Sequence, residues 1–121
     1  MNFFLYSKCG EGCGLMKRIQ DEGNNVSVYI MEKEYNNVYD GILSKTDYPE
    51  EGDVVIFDSS GMGTKADSLK EAGFKVFGAS KFHDKLEEDR DFGLKFMEDH
   101  GIEVPYTRTF NDFKEGIKFI K

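Results

Sequence analysis

A chain of 121 residues, 39% hydrophobic and 14% aromatic, has enough apolar material for one domain and too little length for two. Its net charge of −7 argues against a duplex nucleic-acid partner, which calls for a basic face, and disfavours an anionic membrane surface. No apolar run approaches the roughly 18 residues of a membrane-spanning helix, and the N-terminus shows neither a basic leader nor a cleavage pattern.

The chain opens on "FFLY" (3–6), an aromatic, apolar run that predicts a buried strand. "SKCGEGCGLM" (7–16) follows, with glycines at 10, 12 and 14, and then Leu15, Met16 and Ile19 recur at helical spacing until Gly23 supplies a stop. Cys9 and Cys13 lie within this loop. They are too close for a comfortable structural disulfide and lack the further ligands zinc requires, since His83 and His100 stand far along the chain. Reduced thiols and no metal site are expected, which fits the cytoplasm. A thiol beside a helix N-terminus is also expected to have a lowered pKa.

"VSVYIM" (26–31) predicts a second strand, and a polar, tyrosine-rich stretch runs from Glu32 to Tyr48 without a readable period. "DVVIF" (53–57) is a continuous apolar run, the pattern of a parallel strand buried on both faces. "DSSGMG" (58–63) opens a helix through Ala72, Gly73 ends it, and "KVF" (75–77) is a short fourth strand. Strand, glycine loop, helix and strand in repetition predict an α/β fold with a parallel sheet of about four strands flanked by helices. Right-handed crossovers then gather Ser7–Gly14, Asp58–Gly63 and Gly78–Ser80 on the carboxyl edge, where open α/β sheets bind ligands.

Residues from Phe82 onward predict a long helix containing "HDKLEEDRDFGLKFMEDHG", with Phe92, Phe96 and Met97 as its apolar stripe. Pro105 biases "IEVPYTRTF" toward an extended path, and Asn111 is placed to cap a last helix carrying Phe113, Ile117 and Ile120. Residues 82–121 thus read as a helical extension of a single domain.

The glycine loop matches the dinucleotide fingerprint G-x-G-x-x-G only at its first two glycines, since Leu15 stands at the third place, and the Walker A spacing is absent. Glu32 or Glu34 is placed to meet a ribose, while Glu11 adds negative charge inside the loop. The loop therefore reads either as a close-packing turn or as a seat for a phosphorylated small molecule. In the second case Ser7, Gly10, Gly12, Gly14, Ser59, Ser60 and Gly61 form the binding set.

Val76-Phe77-Gly78, Ser80, Leu86-Glu87, Arg90, Phe92, Phe96-Met97 and His100-Gly101-Ile102 together resemble the end of the N-terminal domain of the glycinamide ribonucleotide synthetase (phosphoribosylamine–glycine ligase) family. "EEDRD" (87–91) also reproduces the E-D-R turn of the related carbamoyl phosphate synthetases. The resemblance implies a Rossmann-like pre-ATP-grasp domain, whose parent enzyme uses ATP and Mg²⁺ to activate a carboxylate for attack by an amine. It implies an ATP-phosphate contact for Arg90, a downstream ATP-grasp domain as partner, and no catalytic residue or cofactor of its own in this chain. Glu11 stands where the family has an arginine, "DSSG" (58–61) replaces G-P-E, and Ala79 replaces a proline. Two readings stay open beside this one: a small dinucleotide-binding sensor, and a receiver-like domain with Asp58 at the phosphoacceptor place.

Overall fold

The first apolar run forms strand β1 (Asn2–Ser7), the centre of a five-stranded sheet in the computed structural model, which describes residues 1–120. The other strands are β2 (Asn25–Ile30), β3 (Ser44–Lys45), β4 (Val54–Phe57) and β5 (Lys75–Phe77). Every pairing is parallel and the spatial order is β3-β2-β1-β4-β5, an α/β, Rossmann-like arrangement. The fifth strand, one more than the sequence predicts, is β3. Only Ser44 and Lys45 pair with Ser27 and Val28, too few residues to carry a hydrophobic period. Its place outside β2 gives the order of dinucleotide-binding sheets, whereas flavodoxin- and receiver-like sheets keep strand 2 at the edge.

Strand alternation sorts the core into two layers. Leu5, Val28, Ile30 and Ile56 face helix α1 (Cys13–Asp21) through Cys13 and Met16. Phe4, Val55 and Phe57 face helix α2 (Gly63–Glu71) through Met62, Ala66 and Leu69. Each Val, Leu, Ile, Phe or Met among them contributes about 1.5–3 kcal/mol when fully buried.

The long helix predicted after Phe82 is two helices, α3 (Lys81–Glu88) and α4 (Arg90–Asp99). Asp89 between them is extended (φ −102, ψ 92), and its Oδ1 accepts the Phe92 N–H at 3.0 Å, so a local cap ends the first helix and starts the second. The last helix, α5 (Phe113–Ile120), is capped by Asp112, whose Oδ1 accepts the Glu115 N–H at 2.9 Å, rather than by Asn111. Helices α2 and α3 cap one another. Asp84 of α3 accepts the N–H groups of Gly61 (2.9 Å) and Gly63 (2.5 Å), and Asp67 of α2 accepts that of Lys81 (2.9 Å). Their contact is close at Gly63, where a Cβ would lie 2.2 Å from the Ser80 carbonyl carbon.

Candidate functional site

Because β1, β4 and β5 are adjacent and parallel, the segments Ser7–Gly14, Asp58–Gly63 and Gly78–Ser80 emerge on one edge of the sheet, as the repeat predicts. The crevice lies between β1, whose crossover turns back to β2, and β4, whose crossover continues to β5. This is the point where such sheets reverse direction and receive ligands.

Ser7 ends β1 fully buried. Its hydroxyl donates to Asp58 Oδ2 at 2.7 Å and accepts the Gly10 N–H at 2.7 Å. Gly10 adopts φ +90, a conformation that L side chains rarely take, and this turns the chain back so that the Gly12 N–H reaches the same Asp58 Oδ2 at 2.6 Å. A Cβ on Gly12 would lie 2.8 Å from that oxygen and 3.0 Å from Leu5 Cδ1, so the approach of the β4 loop requires glycine there. The Cys13 N–H is engaged by the Gly10 carbonyl at 3.1 Å. The Asp58 carboxylate thus sits at the start of α1, the place where the dinucleotide fold presents backbone donors to a ligand phosphate. Gly14, inside the first turn of α1, is unconstrained by its neighbours, for a Cβ there would meet only the Tyr39 hydroxyl at 3.6 Å.

Across the crevice the Ser59 hydroxyl is 2.9 Å from Asp58 Oδ1 and 3.4 Å from Glu11 Oε2. Gly61 donates to Asp84, and the space a Cβ would take at Gly61 is bounded by Glu88 Oε1 at 2.9 Å and Lys8 Nζ at 3.0 Å. Ser7, Gly10, Gly12 and Ser59 therefore gather around Asp58, and Gly61 around Asp84, at one sheet edge beside Ser60. There the backbone donors of Gly10, Gly12 and Gly61 already have acceptors in the chain. Side chains remain on offer: the Lys8 ammonium and the hydroxyls of Ser59 and Ser60, that of Ser7 being buried and engaged. Arg90 takes no part in this arrangement. It is the first residue of α4, exposed, and forms no ion pair among the described residues.

The thiol expectation is corrected here. The Cys9 thiol donates to Glu11 Oε1 at 2.9 Å, and that bond, with the nearby Glu11, Glu32 and Asp58 charges, pushes its pKa up to about 11. Accepting the bond lowers the Glu11 carboxyl. Cys13 is fully buried in the core, and burial raises its pKa. The Glu11 carboxylate at Cys9 and burial at Cys13 raise both thiols, against the expectation from the helix N-terminus. Sequence reasoning also leaves out Lys8, Asp84 and Glu88, because nothing in the sequence pairs positions more than twenty apart.

No protein-family model and no solved structure matches the chain. Curated proteins similar to it include the phosphoribosylamine–glycine ligase of Listeria monocytogenes serovar 1/2a, 37% identical over 54 residues. Those of Listeria monocytogenes serotype 4b and Listeria innocua serovar 6a are each 35% identical over 54 residues. In each case the match covers 45% of this chain and 13% of the ligase, so only a small part of the relatives' length is represented. The 54-residue similarity is to ligases of the family that the motifs from Val76 to Ile102 resemble. Among the described residues no helix is long and apolar enough to cross a membrane.

Proposed function

We propose that the chain is the substrate-side, N-terminal domain of an ATP-dependent carboxylate–amine ligase of the phosphoribosylamine–glycine ligase type, working in purine biosynthesis in the cytoplasm. The observation that carries this reading is the 54-residue similarity to three such ligases, on a Rossmann-like sheet with its loops gathered at one edge. A phosphorylated small-molecule substrate enters the β1/β4 crevice. Lys8, Ser59 and Ser60 meet it through side chains, while Ser7, Gly10, Gly12, Gly14 and Gly61 shape the loops that hold them. An ammonium suits a phosphate as a compact charge, and the hydroxyls suit a sugar or phosphate oxygen.

The residues present fit only part of what ATP and Mg²⁺ need. Arg90 has a free, planar guanidinium fork able to bind two phosphate oxygens. Among the described residues no group of three or more His, Cys, Asp or Glu is arranged to hold a metal ion. Magnesium binding and phosphoryl chemistry are accordingly assigned to a downstream ATP-grasp domain. The apolar face of α5, with Phe113 92% and Ile120 84% exposed, is a surface such a domain would cover.

The test is a chimera in which this chain's sequence replaces the matching stretch of the Listeria monocytogenes ligase. ATP-dependent formation of glycinamide ribonucleotide is expected, with Arg90→Ala raising KM for ATP and Lys8→Ala raising KM for phosphoribosylamine. A folded chimera without activity, together with no binding of ribose 5-phosphate by the chain itself, rejects the reading.

A further inference from the structure

A carboxylate taken out of water is normally paired with a cation or fully hydrogen-bonded. Asp53, the last residue of the crossover from β3 to β4, is 6% exposed and forms no ion pair among the described residues. Its Oδ2 accepts the Glu50 N–H at 2.8 Å, and its Oδ1 has no hydrogen-bond partner among the described residues. No side-chain oxygen closed to solvent lacks a partner among those residues. The Oδ1 atom therefore reaches solvent, and it does so through the cleft that Asp53 lines.

That cleft, of about 270 Å³, opens at the amino ends of the strands, the edge opposite the candidate site. The sheet register builds it. Asn25 lies beside Asn2, and Phe3 beside Val54, so Asp53 follows Asn2 in the same row. Strand alternation turns Asn2, Asn25 and Ser27 to the face of Phe4 and Tyr29, where Thr46 and Glu50 of the crossover complete the polar lining. The Asn25 amide donates to Asn2 Oδ1 at 2.9 Å, which leaves the Asn2 Nδ2 donors unengaged among the described residues. The crossover itself, "TDYPEEGD" (46–53), carries four carboxylates and no lysine or arginine. None of the four forms an ion pair among the described residues.

We propose that this cleft binds a small organic ammonium that also carries a hydroxyl or carbonyl oxygen. The ammonium N–H groups donate to Asp53 Oδ1 and to the Glu50 carboxylate, and the Asn2 amide with the Ser27 and Thr46 hydroxyls meets the oxygen. A bare divalent cation suits the cleft less. It takes about six oxygen ligands or more, whereas two carboxylates line the cleft, and it leaves the amide donors unused. The volume also has room for a small organic molecule rather than for one ion alone. No residue of this cleft belongs to the crevice at the carboxyl edge, so the inference does not rest on the ligase reading.

Titration of the 121-residue chain with ethanolammonium chloride at neutral pH, followed by nuclear magnetic resonance of the asparagine side-chain amides, tests this. Saturable shifts at Asn2 and Asn25 are expected. Ethylene glycol has the same frame without the charge, and tetramethylammonium has the charge without N–H donors. Each should bind at least about tenfold more weakly, the scale of a lost charge-assisted hydrogen bond. Asp53→Asn keeps an oxygen for the Glu50 N–H, and Asn2→Ala changes an exposed position. Both should weaken ethanolammonium binding by about tenfold with the circular dichroism spectrum unchanged. If Asp53→Asn fails to fold, Asn2→Ala decides alone. Shifts that do not saturate, that ethylene glycol reproduces equally, or that survive the substitutions overturn the proposal. So does calcium chloride producing the same shifts at lower concentration than ethanolammonium, because the cleft is then a metal site.

Discussion

Asp58 is the residue on which the candidate site turns. It was readable as a phosphoacceptor from its place after a strand, yet its carboxylate is held by Ser7, Gly12 and Ser59. Removing it leaves the Gly12 N–H and the buried Ser7 hydroxyl without their acceptor, and an unmet buried donor costs about 1–3 kcal/mol. Asp58→Ala is expected to lower the unfolding free energy by that order in urea titrations. Asp58→Asn, which keeps one acceptor oxygen, should cost less. A second residue-scale expectation concerns Cys9. With its pKa near 11 the thiol stays protonated at neutral pH, and the nucleophile is the thiolate, so alkylation by iodoacetamide should be slow and accelerate as pH rises toward 11. Glu11→Gln removes the charge that holds the proton on sulfur. The pKa then falls, and the rate at pH 8 should increase by about tenfold or more. Equal rates in the two proteins, followed by mass spectrometry, would show that Glu11 does not control the thiol.

Among the elements, α2 and α3 depend on each other in a way no single helix reveals. Asp84 is 9% exposed and, among the described residues, supplies the only side-chain acceptor to the two N–H groups at the start of α2, those of Gly61 and Gly63. Helix α3 is better provided, because the Ser80 N–H also donates to His83 Nδ1 at 3.3 Å, independently of Asp67. Asp84→Ala should therefore destabilise the domain by about 2–3 kcal/mol, and Asp67→Ala by about 1 kcal/mol or less. Chemical denaturation of the two variants side by side decides this, and equal losses would contradict the asymmetry. Helix α5 stands at the other extreme. It buries no residue, and its contacts are local ones, the Phe119 ring against Phe110 at 5.4 Å and under Arg108 at 4.6 Å. Eight residues are few for an isolated helix in water, so this small cluster and the Asp112 cap carry its stability within the chain.

For the whole molecule, the strand order is that of dinucleotide-binding sheets, but the start of α1 already holds a carboxylate. A pyrophosphate brought to the same place would meet like charge from Asp58 and Glu11 and find the Gly10 and Gly12 donors engaged. Calorimetric titration with NAD is expected to show no micromolar binding, whereas ribose 5-phosphate, reaching Lys8 and the serines from the open side, should bind. Micromolar affinity for NAD would favour the dinucleotide sensor over the ligase domain.

Much of this architecture is legible in the sequence because it is local. β1, β2, β4 and β5 are continuous apolar or β-branched runs, the helices α1 and α2 end at Gly23 and Gly73 with φ near +85 and +93, and parallel order follows from their alternation. The resemblance to the ligases is legible for the same reason, since the motifs that carry it lie within the contiguous stretch from Val76 to Ile102. What the tertiary structure decided is everything that joins distant positions. β3 exists only because Ser44 and Lys45 fall beside β2, and the break at Asp89 shows an exposed carboxylate turning back onto the backbone to cap the next helix. The glycine loop has the same dependence. Whether its donors face a phosphate or a carboxylate of the chain is set by Asp58, 46 residues from Gly12, and a contact across that separation arises only when β1 and β4 are laid side by side.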